Sequence, residues 1–198
     1  MAKDVMRRKS IDNCLRRHVI PVVWNPDDNR GLLARASAIF LQGGALGDLA
    51  RVLDAFSGPQ LEHLPLFVHI DLVAGLENSE AGLEYLAEFQ RISGVVTVHH
   101  HLAGAARRLG LLSIVRLFLS DSRAVDRGLS VANKSHPDAI EILPAIVAAK
   151  VAGDFADCPI PRIAGGLCRT EADVNEVLAT GCRAVTSTSP ALWKLNPM

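Results

Sequence analysis

Aromatic side chains are scarce in this sequence: six phenylalanines, two tryptophans and one tyrosine. Surfaces that stack nucleic-acid bases draw on such rings, so extensive stacking has little to work with. Net charge is lacking too, because 21 Lys plus Arg balance 21 Asp plus Glu, and no global field advertises a polyanionic partner. No apolar run approaches the roughly 20 residues needed to span a bilayer. The opening MAKDVMRRKS is followed by neither an apolar core nor a small-residue cleavage site, which predicts a cytoplasmic protein with no membrane partner. Cys14, Cys158, Cys168 and Cys182 include no C-x-x-C pair, and a chain of this size folds without staples, so reduced thiols are expected.

What is abundant is apolar surface. Hydrophobic residues make up 49% of the 198, which excludes disorder, and nothing reads as a linker, so a single domain over 1–198 is expected. Short β-branched runs recur with helix-length stretches between them: VIPVVW (19–24), AIFLQ (38–42), LPLFVHIDL (64–72), GVVTVH (94–99), LLSIVRLFL (111–119), AIEIL (139–143), IPRIAG (160–165) and AVTSTS (184–189). Asn78-Ser79-Glu80 opens a helix carrying Leu83, Leu86 and Phe89, and Thr170 opens another that closes at Gly181. The pattern predicts an α/β fold, a compact (β/α)₈ TIM barrel, with a doubly wound open sheet as the competitor. An extra N-terminal helix within 1–18 either plugs the barrel bottom or offers a partner surface.

Polar residues inside the strands favour the barrel. Alternation places Leu66, Val68, Ile70 and Leu72 on one face of strand three, with His69 and Asp71 on the other. The same counting points Gln42, Thr97, His99, Arg116, Glu141 and Thr186 inward, most of them near strand C-terminal ends, where barrels place their sites. An Arg116–Glu141 ion pair is an equally good structural reason for those two residues.

The strongest local signal is IAGGLCRTEADV (163–174) followed by AVTSTSPALW (184–193). Gly165 and Gly166 lack a Cβ, so their backbone can approach an anion, and Ser187 and Thr188 precede a short final helix starting near Ser189. Loops after strands seven and eight form the usual phosphate site of barrels.

FVHIDLVAGL (67–76), RLFLSDS (116–122), PDAIEILP (137–144), IAGGLCRTEADV and STSPALW (187–193), taken in order and spacing, resemble the glycerol-3-phosphate-responsive antiterminators of glycerol uptake operons. The resemblance implies a TIM barrel that takes glycerol 3-phosphate as effector, needs no cofactor, catalyses no reaction, and binds leader mRNA when liganded. Carried onto this chain, it implies phosphate contacts at Gly165, Gly166, Ser187 and Thr188, with Asp71, Arg116 and Glu141 shaping the pocket or meeting the glycerol. His99 stands where the family often has a basic residue, and Ala145 where it commonly has glycine.

RNA contacts are expected on the N-terminal cluster of Arg7, Arg8, Lys9, Arg16 and Arg17, which serves equally as a solvated helix face. A homodimer would concentrate two such patches. Two other readings use the same barrel. One is an enzyme acting on a small phosphorylated sugar or triose, with Asp71, His99 and Glu141 as acid/base groups but no inward lysine for a Schiff base. The other is a phosphate-binding scaffold without RNA activity. The run His99-His100-His101 invites a metal, yet strands five to eight add no histidine, and no metal site is expected.

Overall fold

Eight parallel strands, paired each to the next and the last to the first, close a barrel in the computed structural model, which describes residues 10–26 and 29–197. They are β1 (Val19–Val23), β2 (Ile39–Leu41), β3 (Leu66–His69), β4 (Ile92–Thr97), β5 (Leu112–Phe118), β6 (Ala139–Leu143), β7 (Arg162–Gly165) and β8 (Ala184–Ser187). The helices among the described residues are α1 (Ile11–Cys14), α2 (Arg30–Leu33), α3 (Leu49–Ala55), α4 (Glu80–Ala87), α5 (Leu102–Arg108), α6 (Ser122–Ser135), α7 (Ala148–Val151), α8 (Glu171–Ala179) and α9 (Pro190–Trp193). No helix among them is long and apolar enough to cross a membrane.

Strand side chains alternate between two apolar layers, as the period of two requires. Ile39, Leu66, Val68, Val95 and Val115 face outward and pack with helix residues such as Leu49, Leu83 and Leu86. Ile20, Phe40, Phe67, Val96 and Ile114 fill the barrel's interior. The Phe40 and Phe67 rings meet at 5.5 Å, and Gly94 makes room for them: a Cβ there would lie 2.6 Å from the Phe67 ring and 2.5 Å from the Leu112 carbonyl.

The described part of the N-terminal helix, α1, closes the bottom. Cys14 and Leu15 belong to the interior cluster, so this segment is a plug at the strands' N-terminal end. Arg7, Arg8 and Lys9, expected to contact RNA, lie outside the described residues. At the other terminus Asn196 is fully buried and grips both backbone groups of Val19, Oδ1 accepting from N–H at 3.0 Å and Nδ2 donating to the carbonyl at 2.8 Å.

The helix starts follow the sequence signals. Ser79 caps α4, accepting from Gly82 N–H, and Thr170 and Asp173 form a reciprocal capping box on α8. Two strand expectations need correction. β3 ends at His69 and a 3₁₀ turn follows over Ile70–Leu72, so Leu72 emerges 44% exposed and does not pack under the helices. In β4, Val96 fills the interior and Val95 the outer layer, which puts Thr97 on the outer parity. The strand ends there, and His99 sits in the turn that follows.

Candidate ligand site at the barrel mouth

The inward positions at the strands' C-terminal ends form a charged layer. Arg116 and Glu141 stand opposite each other in the β5–β6 register, and the Glu141 side chain is fully buried. A carboxylate in that position requires partners for both oxygens. Arg116 Nε donates to Oε2 at 2.6 Å, and the Thr186 hydroxyl donates to Oε1 at 2.6 Å.

Arg116 Nη1 meets Nε2 of His69 at 2.6 Å. A guanidinium has no acceptor, so Nε2 must accept and the imidazole proton belongs on Nδ1, which faces Asp71 Oδ2 at 3.3 Å. Burial first, and the Arg116 cation second, push the His69 pKa from 6.5 down to about 4, against the pull of Asp71. His69 is therefore neutral near pH 7. Asp71 ends the chain of contacts, accepting the Thr97 hydroxyl at 2.8 Å on Oδ1 and the Val98 N–H at 2.9 Å on Oδ2.

Arg116 borders a cavity of about 190 Å³ that is also lined by Gln42, Gly166, Cys168, Thr186, Ser187 and Thr188. Nη2 of Arg116 has no protein partner among the described residues, and the side chain is 15% exposed at the cavity floor. A permanent cation thus borders the cavity while its Nε and Nη1 are held by Glu141 and His69. Such a group suits a phosphate or carboxylate. The Cys168 thiol is pushed up to about 11 by burial, with Asp173 and Glu176 adding to it, so it stays protonated beside the ligand space.

The two glycines divide their work. A Cβ on Gly165 would overlap the Thr186 hydroxyl and the Glu141 carboxylate, so its bareness serves the charged layer beneath the cavity. Gly166 has φ +77° and borders the cavity itself. Leu167 follows at φ +63° and is 63% exposed, a left-handed conformation that costs a non-glycine residue about 1–2 kcal/mol.

The neighbouring helix starts contribute less than the sequence suggests. Asp173 Oδ2 already accepts the N–H groups of Arg169 and Thr170, bonds that lower its own pKa, so the α8 start is occupied by its own carboxylate. α9 is a single turn of four residues. What steadies the 187–189 segment is side-chain bonding: Trp193 Nε1 donates to the Ser187 carbonyl at 2.8 Å, and the Ser187 hydroxyl accepts the Ser189 N–H at 3.1 Å.

Of the residues expected at the site, Arg116, Gly166, Ser187 and Thr188 line the cavity, while Gly165 and Glu141 support it from below. Asp71 and His99 do not border it. Asp71 connects through His69 and Arg116, and His99 Nε2 lies 3.6 Å from Asp71 Oδ1 with the ring 40% exposed. His100 and His101 are exposed. Among the described residues no three His, Cys, Asp or Glu side chains converge as a metal set, and Cys158, Cys168 and Cys182 are free thiols. Gln42 and Thr186 were legible as inward residues by alternation but not as cavity walls. His69 was legible as facing the same way as Asp71, but its place between Arg116 and Asp71 shows only through contacts across the barrel.

The family model described as "Glycerol-3-phosphate responsive antiterminator" matches residues 19–193. An uncharacterized Escherichia coli K12 protein, YgcP, is 31% identical over 129 residues, 65% of this chain and 68% of that protein. A glycerol uptake operon antiterminator regulatory protein from Listeria monocytogenes superposes with TM-score 0.79 at 27% identity, covering 98% of this chain and 99% of that one. A glycerol uptake operon antiterminator-related protein from Thermotoga maritima gives 0.77 at 28% identity over 90% and 98%. Deoxyribose phosphate aldolase from Aeropyrum pernix, at 12% identity and TM-score 0.65, shares the fold alone.

Proposed function

The chain belongs to the glycerol-3-phosphate-responsive antiterminator family, and from that premise we propose that it is a cytoplasmic sensor that binds glycerol 3-phosphate in the barrel mouth and, so loaded, engages leader RNA. The carrying observation is the cavity bordered by Arg116, whose guanidinium keeps one edge unengaged by Glu141 and His69. The phosphate meets that edge together with the Gly166 backbone and the hydroxyls of Ser187 and Thr188. Gln42 and Thr186 are placed for the hydroxyls of the glycerol. The ligand can shift loop states only through its differential affinity for them, and the strained, exposed Gly166–Leu167 turn beside the cavity is the segment suited to respond.

Sensing is favoured over turnover by how the acid/base candidates are engaged. Glu141 lies beneath the cavity with each oxygen accepting a hydrogen bond, Asp71 accepts a hydroxyl and a backbone N–H away from the cavity, His99 does not border it, and His69 Nε2 is held by Arg116. A general base must lie within hydrogen-bond reach of the proton that it takes from the substrate.

The test is a gel shift with the leader transcript of the operon that the protein regulates, with and without glycerol 3-phosphate. The proposal expects binding that strengthens with ligand. Absent binding, or binding indifferent to ligand, would reject it.

A further inference from the structure

The opposite end of the barrel carries a second concave surface, a groove of about 720 Å³ walled by Arg16, Arg17, Arg35, Ser37 and His63. Its three walls are the segments entering β1, β2 and β3, which are adjacent strands. The groove is held in shape locally. The Ser37 hydroxyl donates to the Cys14 carbonyl at 2.7 Å and accepts the Arg17 N–H at 3.2 Å, which ties the β2 entry to the buried plug.

The arginines of this groove differ from most others in the described chain in having no assigned task. Arg91 spends its guanidinium on the carbonyls of Phe56, Leu61 and Leu64; Arg183 faces Asp12 at 3.5 Å; Arg51 and Arg108 pair with Asp48 and Glu80. Among the described residues no carboxylate pairs with Arg16, Arg17 or Arg35, and the sole side-chain bond of the three is a long one from Arg16 Nε to the Asn13 carbonyl at 3.4 Å. On the same segments Asp12 faces Arg183, and Glu62 forms no ion pair with a groove arginine among the described residues. Three uncommitted guanidiniums and an imidazole in one concavity match a chain of regularly spaced phosphates.

We propose that this N-terminal groove is where the protein holds the RNA backbone, at the end of the barrel opposite the effector cavity. The inference rests on the RNA-binding reading above and adds the place. The contacts are to phosphates, so they fix the strand's position and leave base choice to other groups. This suits a protein with few aromatic rings.

The experiment compares full-length wild type with Arg16→Ala/Arg17→Ala/Arg35→Ala in salt-dependent binding of the leader transcript. At moderate salt the triple variant should bind at least about tenfold more weakly, and its log–log salt slope should fall by about 2, as expected for three single-strand phosphate contacts at about 0.7 each. Arg107→Ala/Arg127→Ala, which removes two arginines outside the groove, should leave both quantities unchanged. Stabilisation by glycerol 3-phosphate should persist in every variant, which verifies folding; if the triple variant does not fold, Arg35→Gln alone should lower the slope by about 0.7. Equal binding by wild type and groove variants would overturn the proposal and leave the groove to a protein partner. Failure of the wild type to bind the transcript would remove the RNA reading itself.

Discussion

The two ends of the barrel treat charge in opposite ways. At the C-terminal mouth, Glu141, Arg116, His69 and Asp71 are drawn into the interior and joined through Thr186 and Thr97 into one row of contacts beneath a cavity. At the N-terminal end the interior is closed by Cys14 and Leu15, and the arginines that follow them stay at the surface. Buried paired charge is weak as a source of stability, whereas an apolar plug adds to it directly. The difference separates a charged layer that borders a cavity from an apolar layer that adds to folding. It also keeps the proposed anion pocket and the proposed polyanion groove at opposite ends of one small barrel.

That contrast can be broken from either side. Removing one member of a buried pair leaves the other charge unmatched, so Glu141→Ala should destabilise by about 4 kcal/mol in urea unfolding and abolish ligand binding as well. Leu15→Ala at the plug should cost about 3 kcal/mol, with ligand affinity retained. If Leu15→Ala weakened the ligand as much as Glu141→Ala does, the division of labour would be wrong.

The His69 imidazole gives a pH test. The unfolded chain takes its proton near 6.5 and the folded one near 4, so its contribution is complete above about 6.5 and is lost as the pH falls toward 4. Between pH 7 and pH 5 wild type should lose about 2 kcal/mol more than His69→Gln. Parallel stability curves for the two proteins would mean that His69 is not held neutral. The smallest effect belongs to the histidine run: His99→Ala should weaken anion binding by no more than about 1 kcal/mol, acting through Asp71, and His100→Ala should change nothing.

The strands were legible because a parallel barrel buries both faces, and β-branched runs announce this without knowledge of their partners. Leu64–Leu72 was read too long because alternation continues in the sequence through Asp71, while the chain turns to let that carboxylate meet Thr97 and Val98, 26 and 27 residues away. Gly165 was legible as a bare position, but its reason was not, since the groups filling the space come from β6 and β8. Arg35 and His63 are isolated in the sequence, and only closure of β1, β2 and β3 brings them beside Arg16 and Arg17.

The central claim is that Arg116, aimed by Glu141 and His69, is the cation that holds a phosphate monoester at the mouth. It is tested most directly by titrating glycerol 3-phosphate into wild type and Arg116→Met while following thermal unfolding. Wild type should gain about 2.7 kcal/mol at 100 times its Kd, and Arg116→Met, judged folded by its own cooperative transition, should gain nothing at the same concentration. Equal stabilisation of the two proteins, or none in wild type at millimolar ligand, would contradict the account.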